Sequence, residues 1–260
     1  MIDYIVYALF FIVGAVLGSF SNVVIFRLPQ NISLISPPST CFCCNEKIKV
    51  YDNIPILSYI ILRGKCRKCK AKIPFRDFLV ELLNALLYLA VAILFFNKSI
   101  VFSIFICFAI SILIIIACID LDYMYIPNSL LIALSLCAIV ITIFYPFDSA
   151  LSHIIGLAIG AGVLLLIYGV GYLLVKREVV GLGDVKLMAV LGLLLGWKNI
   201  LFTYVLGFVL ASIVLIIVRA VKKDRTKFKE YPFAPALAAG AIVSIFFGLT
   251  VFNAYLGLFM

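Results

Sequence analysis

The sequence predicts an all-α, polytopic membrane protein. About eight transmembrane helices are expected, with a small cytoplasmic zinc-ribbon-like module between the first and second. Three observations carry this prediction. The chain is 66% hydrophobic and 13% charged, with a mean hydropathy of +1.26. Its apolar residues fall in runs near the roughly 20 residues that cross a hydrocarbon core about 30 Å thick. Its only long polar segment, 27–77, contains two C-x-x-C pairs.

The apolar runs lie at about 4–26, 78–96, 99–119, 128–146, 152–175, 185–197, 200–218 and 234–258. The first run is longer than the h-region of a cleaved signal, about 7–15 residues, and no basic residue precedes it. Asp3 stands before it and Arg27 after it, which places residue 1 outside and residue 27 in the cytoplasm. With eight spans, both termini lie outside. The inner segments are then 27–77, 120–127, 176–186 and 219–230. Of the 21 Lys and Arg residues, only Lys98 and Lys198 then fall outside. The positive-inside rule favours this topology and disfavours its inverse. The net charge of +9 therefore reads as topology plus attraction to anionic membrane lipid. No basic groove with interleaved aromatics points to nucleic acid.

Three domains are expected: the first transmembrane helix at 1–26, a tetracysteine module at 27–77, and a seven-helix membrane domain at 78–260. The module is too short for a large core and needs a staple. Cys41 and Cys44 form one pair, Cys66 and Cys69 the other. Each pair can sit on a tight turn and aim two thiolates at one tetrahedral ion, so structural zinc is the expected cofactor. A reducing cytoplasm disfavours disulfides. Cys43, inside CFCC, is a competing ligand, but Cys41 gives the two-residue spacing. Because the four ligands close the shell, the metal contributes folding free energy and no chemistry. Cys107, Cys118 and Cys137 lie within apolar runs and read as packing residues.

The chemistry lies with the acids. Asp3 and Asp148 fall on the outer side, and Asp52, Asp77 and Glu81 belong to the module or its exit. Asp224 and Glu230 sit in a solvated basic loop. Two sites remain at the cytoplasmic edge: Asp184 in GLGDVKL, opening the sixth span, and IDLDYMYIPN, closing the third. An acid at the edge of a membrane segment is a functional candidate, because its burial must be offset. Two carboxylates held together share a proton and can activate a water between them. One acts as base toward the water while the protonated other polarises a carbonyl. Residues two apart on a helix point about 200° apart, so only one of Asp120 and Asp122 can face Asp184. Asp120 directly follows SILIIIACI and is the expected partner; Asp122 reads as a helix-end acid. Gly181 and Gly183 leave room for an extended peptide beside the acid. Pro127 stops the third helix from continuing regularly and opens the backbone next to Asp120.

Other readings stand beside this one. Both acids can simply mark helix ends. A proton-coupled transporter also uses intramembrane acids, but prefers them near the midplane and often shows repeats. A non-enzymatic scaffold carrying a zinc ribbon explains the cysteines and leaves both acids without a role. His153, the single histidine, sits near the outer face and reads as a packing or capping residue, away from the acids.

The motifs resemble those of the type IV prepilin peptidases, members of the GxGD aspartic proteases. GAVLGSFSNVVIFRLP at 14–29 is similar to the family's opening motif. The segment 41–69, with its NIP-x-x-S-Y core, is similar to its cysteine module. IDLDYMYIPN at 119–128 and GLGDVKLMAVLG at 181–192 resemble its two catalytic motifs, and YPFAPALAAGA at 231–241 its closing segment. The resemblance implies an aspartic endopeptidase of the bacterial cytoplasmic membrane, with Asp120 and Asp184 as the catalytic pair. Its substrates would be pilin-like precursors carrying a short basic leader, cleaved at the cytoplasmic face. Many members also methylate the new N terminus with S-adenosylmethionine. Phe42, Cys43 and Asn45 depart from the usual first cysteine knuckle; the two acid motifs are unaffected.

Overall fold

The computed structural model describes residues 2–36, 38–144, 149–176, 180–221 and 231–257. Asp148 and most of the basic loop, 222–230, lie outside the described residues. Among the described residues the fold is helical, with strand pairing limited to two isolated bridges. Eight α-helices follow in order: α1 (Ile2–Arg27), α2 (Leu57–Ile61), α3 (Phe75–Phe95), α4 (Ile100–Tyr123), α5 (Asn128–Phe144), α6 (Ala150–Val175), α7 (Leu182–Val221) and α8 (Ala234–Gly257). Five of these are long and apolar enough to cross a membrane: α1, α3, α4, α6 and α7. Two shorter apolar stretches, Asn128–Phe144 and Ala234–Gly248, accompany them. The chain is a multi-pass membrane protein.

The sequence predicts separate spans at 185–197 and 200–218, but the structure joins them in α7. The join is broken at Gly196, whose φ of 77° and ψ of 168° are not helical. A residue with a side chain is strained at that φ. The stretch Leu182–Ala220 is one continuous apolar candidate span of 39 residues, and Gly196 marks the kink within it.

The chain forms two compact units, residues 1–115 and 116–260, with α4 contributing to both. In the first unit α1 packs on α3 through Gly14 and Gly18. A Cβ on Gly14 would lie 2.9 Å from the Ala85 Cα, and one on Gly18 2.7 Å from the Glu81 Cα. Lipid tails give little hydrophobic drive for helix pairing, so close backbone contact does that work. Tyr88, Ser111 and Asn84 then form a buried chain: the Tyr88 hydroxyl lies 2.8 Å from Ser111 Oγ, which donates to Asn84 Oδ1 at 3.0 Å.

The second unit repeats the small-residue device. Cβ atoms on Gly156 and Gly160 of α6 would meet the carbonyls of Gly192 and Met188 on α7. Tyr204 donates to the Gly160 carbonyl at 2.6 Å, and Thr203 to Ser244 Oγ on α8 at 2.8 Å. His153 is fully buried, with Nδ1 2.8 Å from the Leu193 carbonyl. It holds α6 to α7, a packing role.

Candidate active site and metal centre

The module is built from two matching knuckles. In the first, the Cys41 N–H donates to the Glu46 carbonyl at 2.9 Å and the Asn45 N–H to the Cys41 carbonyl at 2.9 Å. In the second, Cys66 donates to Ala71 at 2.8 Å and Lys70 to Cys66 at 3.1 Å. Each knuckle is closed by one bridge, Thr40 with Lys47 and Lys65 with Lys72. Each also turns at a residue with positive φ in the same place, Asn45 (52°) and Lys70 (61°). Asparagine tolerates that region better than lysine does.

The turns bring Cys41, Cys44, Cys66 and Cys69 together, with all four sulfurs within 4.8 Å of one another. Cys41 and Cys69 Sγ lie 3.7 Å apart. A tetrahedral zinc with Zn–S bonds of about 2.3 Å sets its sulfurs roughly 3.8 Å apart, so the group fits such an ion. Cys43 is exposed and outside the group. The four-cysteine group can hold a metal ion. Hydrogen bonds from the Cys44 and Cys43 backbone push the Cys41 thiol down to about 6. Two ion pairs brace the module: Lys68 with Glu46 at 2.6 Å, and a bidentate pair in which Arg67 Nη2 meets Asp52 Oδ1 at 2.7 Å.

In the second unit, α4 carries Asp120 one turn before its end. Met124, with φ 55°, donates to the Asp120 carbonyl at 2.9 Å and turns the chain toward Pro127. Asp120 is 6% exposed, whereas Asp122 is on the exposed side. A carboxylate at a helix C-terminus faces the negative end of the helix dipole. The offset comes from another helix: the Ala234 N–H, in the first turn of α8, donates to Asp120 Oδ2 at 3.0 Å.

Asp184 is half-buried in the first turn of α7, where the dipole favours an acid. The Gly181 carbonyl accepts from the Asp184 and Val185 N–H groups, at 3.0 and 3.3 Å. Gly181 is exposed, and a Cβ there would sit 3.2 Å from Asp184 Oδ2; one on Gly183 would touch Ile126 at 3.4 Å. The Asp120 and Asp184 carboxylates lie within electrostatic range of each other. Lys186, one turn into α7, donates to Asn128 Oδ1 at 3.2 Å.

Sequence reasoning gave no role to Ala234. A usable signal was present, because YPFAPA places prolines at 232 and 235 on either side of two residues, Phe233 and Ala234, whose N–H groups open a helix.

The chain is a multi-pass helical membrane protein with a four-cysteine group that can hold a metal ion, and the comparisons give its family. The model of the Bacterial Peptidase A24 N-terminal domain matches residues 12–95, and that of the Type IV leader peptidase family matches residues 107–217. A protein of Bacillus subtilis (strain 168) named prepilin leader peptidase/N-methyltransferase is 32% identical, covering 96% of this chain and 97% of that protein. Proteins of the same name from Burkholderia pseudomallei (strain 1026b) and Aeromonas hydrophila are 32% and 31% identical. They cover 95% and 100% of this chain, and 86% and 97% of their own lengths. No solved structure matches the chain. The chain belongs to the type IV leader peptidase family.

Proposed function

We infer that the chain is an aspartic endopeptidase that removes the leader from type IV pilin-like precursors and N-methylates the new N terminus. The observation that carries the peptidase reading is the approach of Asp120 to Asp184 at the ends of two membrane helices. An N–H can only donate, so Asp120 Oδ2 stays an acceptor toward Ala234. A proton shared by the pair then sits on Asp120 Oδ1 or on Asp184. A water between the acids gives its proton to the ionised carboxylate and attacks the scissile carbonyl. The protonated partner donates to the developing oxyanion. The resulting tetrahedral intermediate collapses when the amine leaves with a proton from the pair. Gly181, which is exposed beside Asp184, leaves room for the substrate backbone, whereas Gly183, expected to do the same, packs on Ile126.

The four-cysteine group would take structural zinc, which supplies folding free energy to the module. The catalytic acids are assigned to the cytoplasmic face of the bacterial inner membrane, with both termini outside. The charge bias of the loops supports that orientation. A precursor's apolar helix would reach the acids through the lipid. Family membership leaves the transporter and scaffold readings without an observation in their favour.

The test is leader removal from a co-expressed pilin-like precursor. Asp120→Asn and Asp184→Asn should each abolish cleavage at unchanged protein level. Retained cleavage in both variants overturns the assignment.

A further inference from the structure

The connection between α4 and α5, residues 124–127, leaves the helix that carries Asp120 and passes the turn that carries Asp184, all within the second unit. Its start is fixed to α4. The Met124 N–H donates to the Asp120 carbonyl at 2.9 Å, with a φ of 55° that residues other than glycine seldom adopt. Its end is fixed to α5. Pro127 is buried, and its carbonyl accepts from the Leu130 and Leu131 N–H groups at 3.1 and 3.3 Å. Along this path the chain meets α7 twice. A Cβ on Gly183 would lie 3.4 Å from the Ile126 Cβ, and Lys186 Nζ donates to Asn128 Oδ1 at 3.2 Å. The two contacts flank Asp184 in the sequence.

Neither side chain in the second contact takes its ordinary role. Asparagine at a helix start usually accepts from the first turn of its own helix; Asn128 Oδ1 accepts from another helix instead. A lysine near an acid usually serves as its counter-charge. Residues two apart on a helix point about 200° apart, so the Lys186 stem leaves α7 away from the Asp184 carboxylate, and its ammonium ends on Asn128. Both partners are exposed, so the contact contributes little to stability, as exposed charged contacts do. Rate is more sensitive to geometry: a displacement of about 1 Å at a catalytic centre costs on the order of 100-fold.

We propose that Lys186 and Asn128 are positioning residues for peptide hydrolysis, their bond clasping the Asp120 side of the site to the Asp184 turn and holding the two carboxylates at working distance. The proposal rests on the peptidase reading. Ile126 on Gly183 sets how closely the two segments approach, and the Lys186–Asn128 bond sets their alignment. The pair acts through the backbone of these segments and not on the scissile bond.

The experiment measures kcat and KM for leader removal from a pilin-like precursor by purified full-length enzyme, with thermal unfolding in detergent followed in parallel. Lys186→Met removes the donor and keeps the stem. Asn128→Leu removes the acceptor at similar volume. Each should lower kcat about tenfold, with KM within about twofold and the unfolding temperature unchanged. Because both remove one bond, the double variant should be no more than about twofold slower than either single one. Lys186→Arg and Asn128→Asp keep a donor or an acceptor and should recover kcat to within about threefold of wild type. Wild-type kcat in both single variants overturns the proposal, and so do effects that multiply in the double variant. A raised KM at unchanged kcat in Lys186→Met shows a substrate contact and also overturns it. A fall in kcat that tracks a lowered unfolding temperature does the same. Each of these results leaves the peptidase reading standing; wild-type enzyme that does not cleave the precursor removes that reading and this proposal with it.

Discussion

The Asp120 carboxylate is buried at the unfavourable end of α4, and one backbone N–H, from Ala234, meets it. Ala234→Pro deletes that donor at a helix position where proline is tolerated. Leaving a buried acceptor unpaired costs about 1–3 kcal/mol, so cleavage should fall by roughly one to two orders of magnitude. Ala234→Gly, which keeps the N–H, should stay near wild type, and a precursor cleavage assay on the two variants checks both. Asp52 allows a pH measurement. Arg67 beside it holds its carboxyl below the ordinary 3.8. The ion pair's contribution is therefore present above pH 3.8 and lost as pH falls through the lower, folded value. An NMR titration should place the Asp52 midpoint below 3.8, and Arg67→Ala should return it. The two acids were legible in the sequence because a carboxylate in so apolar a chain needs a reason. The role of Ala234 was not, because the prolines at 232 and 235 mark a helix start but nothing in the sequence ties its N–H to an acid 114 residues away.

At the scale of elements, apolar run length made most helices legible. The kink of α7 was not, because a glycine in an apolar run reads equally as a loop or as a break. The pairing of α1 with α3 shows the same limit. GAVLG offers a small-residue face, but only packing reveals that it lies on Ala85 and Glu81. Gly14→Leu puts bulk against the α3 backbone and should cost about 1–3 kcal/mol, seen as a lower thermal unfolding temperature in detergent. The knuckles were legible from cysteine spacing, and so was the choice of Cys41 over Cys43, which the turn geometry bears out. Metal analysis of the purified protein should find one zinc in the wild type and in Cys43→Ser. Cys41→Ser and Cys66→Ser should lose it.

For the whole molecule, orientation rests on the distribution of basic residues, which the sequence carries in full. Cys43 is exposed in the module. In intact cells a membrane-impermeant maleimide should leave it unlabelled, and should label it after the inner membrane is opened. A cysteine placed at Lys98 should label in intact cells. The reverse pattern inverts the topology.

The most direct measurement is intact-mass analysis of a pilin-like precursor incubated with the purified enzyme, its Asp120→Asn form and its Asp184→Asn form. The wild type should release the leader at a single bond, and each variant should leave the precursor at full mass. Leader release by both variants would show that the two carboxylates do not carry out the hydrolysis.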